Sequence, residues 1–174
     1  MDSDVNDFDE FFRKRSPALM RAAYLLTGDR QLAEDLAQET FARTYRMWHR
    51  LARDGNPEAY ARKVMYHLQV SRWRQRRVKE ALPGHLPDHD GRPDQADRTL
   101  DRLTLRQALL ALPARQRAVI VLRFLEDRSE AETAEILGCR VGTVKSHTSR
   151  GLRRLRELLP DVVDDLYWTV RTTR

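Results

Sequence analysis

The segment Ser129-Glu130-Ala131-Glu132-Thr133-Ala134-Glu135-Ile136-Leu137-Gly138-Cys139-Arg140-Val141-Gly142-Thr143-Val144-Lys145-Ser146-His147 leaves this chain fewer ways to fold than any other stretch of it. Ser129 and Glu132 have the Ser-x-x-Glu spacing of a capping box, in which each side chain satisfies a backbone N–H at a helix start. The apolar run that follows stops at Gly138, a residue type suited to the left-handed conformation that ends helices. A second helix then opens with small polar and basic residues. A short helix, a glycine turn and a second helix make a helix-turn-helix, which lays its second helix in the DNA major groove. The predicted partner is nucleic acid.

The second helix carries the chemistry for that role. From Arg140 to Arg156 there are six basic residues and no acidic one. With Val144, Leu152 and Leu155 turned inward, Thr143, Lys145, Ser146, His147, Ser149 and Arg150 face outward near the helix start. Short hydroxyls, Lys and Arg reach base edges, while the later arginines suit phosphates. A merely solvated basic face is the bland alternative, and the capping box and turn at the correct offset argue against it.

Charge along the 174 residues is uneven, although the net is only +6. Residues 57–82 carry 7 basic and 2 acidic side chains, and residues 102–160 carry 12 and 6. Between them, residues 83–101 carry 2 and 5, with Pro83, Pro87 and Pro93, Gly84 and Gly91, and almost nothing apolar. Such a segment cannot bury enough surface to offset its ordering entropy and reads as a flexible acidic linker. The expectation is an all-α chain of two small helical domains: residues 1–82, a linker at 83–101, residues 102–160, and a tail at 161–174.

In the first domain Asp7 is expected to cap a helix, with Glu10 at capping-box spacing, and Ser16-Pro17 to kink or restart it. Thr27-Gly28 ends that helix and Asp29 caps the next. Leu32, Leu36, Thr40, Phe41, Tyr45, Trp48 and Leu51 mark one face of a long second helix. Arg53-Asp54-Gly55 is a loop, and Asn56-Pro57 supplies a cap and a first-turn proline. Tyr60, Val64, Leu68 and Ser71 are expected on the buried side of the third helix. In the second domain Leu105, Leu109 and Leu112 line a helix that stops before Pro113. Residues 114–125 form another, with Ala118, Val121, Leu122 and Leu125 inward, and Leu159 joins the core from the last helix.

Two further patches stand out in the first domain. Arg62-Lys63 and Arg72-Trp73-Arg74-Gln75-Arg76-Arg77 are interleaved with Tyr60, Tyr66, His67 and Trp73. Phosphates are neutralised by such cations and unstacked bases lie on such rings, so an opened strand fits; core aromatics in a soluble basic surface are the alternative. Asp35, Gln38 and Glu39 share one helix face, an acidic stripe suited to a basic partner helix or simply to solvent. No Gly-rich phosphate loop, His-Glu-x-x-His or Gly-x-Ser-x-Gly is present, so no catalytic residue is expected. The lone Cys139 forms no disulfide within the chain and builds no cysteine zinc site. His85 and His89 lie in the linker rather than on a helix, so no metal and no cofactor is expected. The N-terminus has no apolar run and no stretch approaches a membrane span, so a cytoplasmic protein is expected. A stand-alone helix-turn-helix regulator with a sensing or dimerising first domain is a second reading. A nuclease using Asp35 and Glu39 with magnesium is a third.

Asp35-Leu36-Ala37-Gln38-Glu39-Thr40-Phe41, Leu112-Pro113-Ala114-Arg115-Gln116-Arg117 and Gly142-Thr143-Val144-Lys145-Ser146, in this order and spacing, closely resemble bacterial RNA polymerase sigma factors of the extracytoplasmic-function (ECF) group of the sigma-70 family. Tyr60-Ala61-Arg62-Lys63-Val64 and Ser71-Arg72-Trp73-Arg74 are similar to an actinobacterial branch, the SigE family. The likeness covers about residues 8–80 and 102–160. It implies a sigma2-like helical bundle and a sigma4-like helix-turn-helix domain in a non-enzymatic initiation factor.

The resemblance also implies roles. Asp35, Gln38, Glu39 and Phe41 would bind the beta-prime clamp helices of core RNA polymerase. Arg53, Asn56 and Tyr60, around the loop to Pro57, would hold a flipped base of the promoter minus-ten element. Arg62, Lys63, Tyr66, His67 and the Arg72–Arg77 block, with Trp73, Arg74, Arg76 and Arg77 among its members, would meet the opened strand and upstream duplex. Arg140, Thr143, Lys145, Ser146, His147, Ser149 and Arg150 would meet the minus-thirty-five element. The second domain would also rest on the beta flap, the linker would thread the polymerase channel, and an anti-sigma factor is a further possible partner. Ala37 stands where valine is more usual, Tyr66-His67 where Arg-Asn is frequent, Arg140 where Ser often caps the helix, and His147 where Arg is common.

Overall fold

The computed structural model describes the backbone of residues 2–80 and 100–159, and the side chains of residues 7–53, 55–75 and 105–159. The chain divides into two compact units, Met1–Arg92 and Pro93–Arg174. Every regular element among the described residues is helical. None of those helices is long and apolar enough to cross a membrane. Residues 81–99 and 160–174, which hold most of the expected linker, His85, His89 and the tail, lie outside the described residues.

The first unit contains α1 (Asp2–Thr27), α2 (Arg30–Arg46), α3 (Trp48–Asp54) and α4 (Pro57–Glu80). Helix α1 begins upstream of Asp7, so the expected cap is an interior residue. It also runs through Pro17 without restarting. A proline inside a helix costs about 3 kcal/mol, and apolar contacts on both sides of it offset that cost. C-terminal to Pro17, Leu19, Ala22, Ala23 and Leu26 are buried. N-terminal to it, Phe8, Phe11 and Phe12 join Phe41, Tyr45 and Trp48 in an aromatic cluster, with Phe8–Tyr45, Phe8–Trp48 and Phe12–Phe41 centroids 4.9, 5.1 and 4.6 Å apart. Edge-to-face pairs of this kind add about 0.5–1.5 kcal/mol each beyond burial.

The expected caps hold α2 and α4. Asp29 Oδ1 accepts the Leu32 N–H at 2.8 Å, and Asn56 Oδ1 accepts the Ala59 N–H at 3.0 Å. Thr40 and Thr44 are buried because each hydroxyl donates to the carbonyl one turn back, Leu36 and Thr40 respectively, at 2.8 Å. The long second helix expected up to Leu51 is instead two helices. Met47 leaves helical geometry at φ −102°, ψ 2°, and its N–H bonds to the Thr44 carbonyl at 3.1 Å. The bend turns Trp48 into the aromatic cluster at 6% exposure. Arg53 and Asp54 belong to α3, which leaves only Gly55 and Asn56 as loop.

The second unit contains α5 (Leu100–Leu110), α6 (Ala114–Ile120), a π-helical turn (Val121–Leu125), α7 (Glu130–Leu137) and α8 (Val141–Leu158). Leu100 and Asp101, expected in the linker, are the first turn of α5. Arg117 is buried behind the end of that helix, where its guanidinium donates to the Leu110 and Leu112 carbonyls at 3.1 and 3.2 Å. Burial pulls its pKa down to about 10, which leaves it charged at neutral pH. The expected 114–125 helix widens at Val121, and the Glu126 N–H reaches back five residues to the Val121 carbonyl at 2.9 Å. The wide turn breaks the 3.6-residue register, and so Leu125 is exposed rather than inward.

The capping box at Ser129 is complete. The Ser129 N–H donates to Glu132 Oε2 at 2.8 Å, and the Glu132 N–H donates to Ser129 Oγ at 3.1 Å. Ser129, its backbone N–H foremost, holds the Glu132 carboxyl below its ordinary pKa. Gly138, at φ 61°, ψ 41°, ends α7 in the left-handed region and turns the chain toward α8. Val119, Ala134 and Val144 form a buried cluster beneath the turn, flanked by Leu137 and Cys139. Helix α8 crosses α6 at Gly151, where an added Cβ would lie 2.9 Å from Ile120 Cγ1.

Candidate nucleic-acid interface

Three surfaces gather the residues singled out from the sequence, two in the first unit and one in the second. On α8 the inward face is Val144, Gly151, Leu152 and Leu155. The alternation dictated by those positions leaves Arg140, Lys145, Ser149 and Arg150 exposed and Thr143, Ser146 and His147 half-buried. Arg140 precedes the helix in extended conformation and gives it no side-chain cap. The Ser146 hydroxyl donates to the Thr143 carbonyl at 2.9 Å. Lys145 Nζ lies 3.7 Å from Glu130 on α7, a loose pair at the surface. His147 is half-covered, and its Nδ1 is buried without a hydrogen-bond partner. Burial first, then Arg150 and Arg115, hold its pKa below the ordinary value. This residue is therefore neutral at pH 7, and it contributes a polar ring rather than a cation.

On α4, Tyr60, Lys63, His67 and Arg74 recur at helical spacing; the last three are exposed and Tyr60 is half-buried. Together they make one basic and aromatic stripe. Trp73 is half-buried beside it, while the side chains of Arg76 and Arg77 lie outside the described residues. Tyr66 is not part of the stripe. Its ring is wholly buried, with Ala61, Met65 and Leu68 on the same inner face. The expected inner face, Tyr60, Val64, Leu68 and Ser71, is thus rotated by about one residue, and the expectation that Tyr66 meets an opened strand is corrected. Arg62 is largely covered and paired with Glu58, which also holds Arg15 of α1 at 2.7 Å. Its charge is committed to the fold. Arg53 is exposed and lies within 3.4 Å of the His49 ring. The Asn56 side chain is exposed, but its oxygen serves as the α4 cap.

The third surface is on α2. Asp35 and Gln38 are exposed on one face, and Glu39 is half-buried beside them. Gln31 donates to Asp35 at 3.4 Å. Glu39 is bound on both oxygens, by Arg43 at 2.6 Å and by Arg72 of α4 at 2.7 Å. These bonds, Arg72 foremost, keep its carboxyl below the ordinary carboxylate range. Phe41 is turned the other way. At 7% exposure it packs on Phe11 and Phe12, so the expectation that it meets a partner directly is corrected: it supports the stripe from beneath. Sequence reasoning missed the burial of Arg117 on the Leu110 and Leu112 carbonyls and the Glu39–Arg72 pair, neither of which carries a periodic signal.

Comparison with known proteins is consistent along the chain. The Sigma-70 region 2 family model matches residues 11–78, and the Sigma-70, region 4 model matches residues 102–155. The chain is 40% identical over 156 residues to the RNA polymerase sigma-E factor of Streptomyces coelicolor, covering 90% of this chain and 88% of that one. It is 36% identical over 159 residues to the ECF RNA polymerase sigma factor SigE of Mycolicibacterium smegmatis, covering 87% of this chain and 61% of that one. Among solved structures it resembles the sigma factor RpoE, crystallised with the anti-sigma factor NepR from Bartonella quintana. The TM-score is 0.68 at 29% identity, covering 89% of this chain and 98% of that chain.

Proposed function

The chain belongs to the sigma-70 family of RNA polymerase sigma factors, in its extracytoplasmic-function group, and from that membership we propose how its three surfaces divide the work of starting transcription. It is a transcription initiation factor, not an enzyme: it binds core RNA polymerase and directs it to promoters. The observation that carries this reading is the succession of a region 2 unit and a region 4 unit, each presenting its own basic face.

In this division Asp35 and Gln38 dock the beta-prime clamp helices. Lys145, Ser146, Ser149 and Arg150 read the minus-thirty-five element, with Arg140, Thr143 and His147 at its margin. Tyr60, Lys63, His67, Trp73 and Arg74 face the minus-ten element, with Arg53 and Asn56 beside the loop. Flipping a promoter base costs a few kcal/mol. The loop at Gly55–Asn56 and the start of α4 offset that cost when they take the base, which favours the melted promoter. A first domain at 1–82 and a second that begins with α5 at Leu100 serve this design, because two duplex elements are gripped by separate units. The work is done in the cytoplasm, where polymerase and chromosome meet. An anti-sigma factor is the regulator this reading admits, as for the Bartonella relative.

Run-off transcription with core enzyme, with and without the chain, tests the function. Initiation at a cognate promoter is expected only when the chain is added. Asp35→Arg reverses charge on the exposed docking face and is expected to abolish co-purification with core while the second unit stays folded. Unchanged co-purification would exclude this face from docking.

A further inference from the structure

The three polar residues of the α2 stripe are not equally free to meet a partner. Asp35 and Gln38 are exposed, and the one hydrogen bond Asp35 accepts, from Gln31, is long at 3.4 Å. Glu39 is already engaged on both oxygens, with three of its roughly four acceptor positions filled. Its Oε2 accepts from Arg72 Nη2 at 2.7 Å, and its Oε1 accepts from Arg43 Nη2 at 2.6 Å and Nε at 3.1 Å. Arg43 is one turn along the same helix, but Arg72 comes from α4, 33 residues later in sequence. The side chains of Glu39 and Arg72 are only 37% and 33% exposed, so water screens the pair less than it screens an open surface bridge. A carboxylate with both oxygens taken has little left for an incoming cation. An arginine with a nitrogen bound this way has correspondingly less to offer a phosphate than the exposed Lys63 and Arg74 nearby.

We propose that Arg72 is a positioning residue for polymerase docking: through Glu39 it locks α2 to α4, so that Asp35 and Gln38 present one rigid face to the clamp helices. Arg72 is not a contact to the opened strand, and Glu39 is a strut rather than a docking acceptor. This inference rests on the assignment of the α2 face to core polymerase. It departs from the resemblance, which places Arg72 in the DNA-contacting block.

The test is a double-mutant cycle read by the affinity of the full chain for core polymerase, with opened-strand binding by the assembled holoenzyme measured alongside. Arg72→Gln and Glu39→Gln are each expected to weaken core binding about fivefold, and the double variant is expected to be no weaker than either single one, as coupling between contacting residues requires. Arg72→Lys retains a cation within reach of Glu39 and is expected to restore most of the affinity, a rescue that a simple loss of packing would not show. Opened-strand affinity of the holoenzyme is expected to be unchanged by Arg72→Gln. Unchanged core affinity with a loss on DNA alone would overturn the inference, and so would additive losses in the double variant. Core binding by the wild-type chain reports separately on the function itself. If the wild type binds core and Arg72→Gln matches it, only this inference falls.

Discussion

His147 shows how one half-covered side chain departs from what its place in the sequence suggests. A histidine on a basic recognition helix looks like a conditional cation, yet burial together with Arg150 and Arg115 lowers its pKa. The fold therefore favours the neutral ring. Its contribution to stability is complete above the ordinary histidine pKa and is lost as pH falls toward the lowered value in the folded state. Between about pH 7.5 and 5.5 the wild type is expected to lose stability relative to His147→Asn, measured by urea unfolding at each pH. A parallel decline in both proteins would show that the imidazole is not the titrating group. At neutral pH the same variant is expected to leave the salt dependence of DNA binding unchanged, because no charge is removed.

Helix ends account for most of what the sequence made legible, and helix interiors for most of what it hid. Ser129→Ala removes one half of a closed capping box and is expected to destabilise the second unit by about 1 kcal/mol, seen as a lower thermal midpoint. An unchanged midpoint would mean the box adds nothing beyond solvent. Asp29, Asn56 and Ser129 were readable because a short polar side chain before an apolar run has one good local use. The break at Met47 was not, since the apolar stripe from Leu32 to Leu51 keeps helical spacing on both sides of it. The π-helical turn was hidden for the same reason: Val121, Leu122 and Leu125 suit an α-helix, and only the backbone bond from Glu126 shows the extra residue. On α4 two stripes, Tyr60-Val64-Leu68 and Ala61-Met65-Leu68, satisfy the same period. Packing within the first unit selected the second and buried Tyr66 with it. The basic stripe and the exposed pair Asp35 and Gln38 could be found from residue type and spacing. The Glu39–Arg72 pair could not, because no local pattern ties residues that far apart.

At the scale of the whole chain, each unit has a core of its own: Leu19, Ala23, Leu26, Leu36 and Met65 in the first, Leu109, Ile120, Leu122, Val144 and Leu155 in the second. Leu155→Ala is expected to cost the second unit about 2–5 kcal/mol, the usual range for a buried leucine. Calorimetry is expected to show the second unit's transition lowered and the first unit's unmoved; a common shift of both would reveal a shared cooperative unit. The seating of α8 in the second unit also depends on one missing methyl. At Gly151 nothing but hydrogen separates α8 from Ile120, and Lys145 lies six residues away, about 9 Å along the axis at 1.5 Å per residue. That crossing works as the fulcrum of a lever. Any shim inserted there tips the far arm, so the aim of the proposed DNA-reading end is set from the crossing with α6.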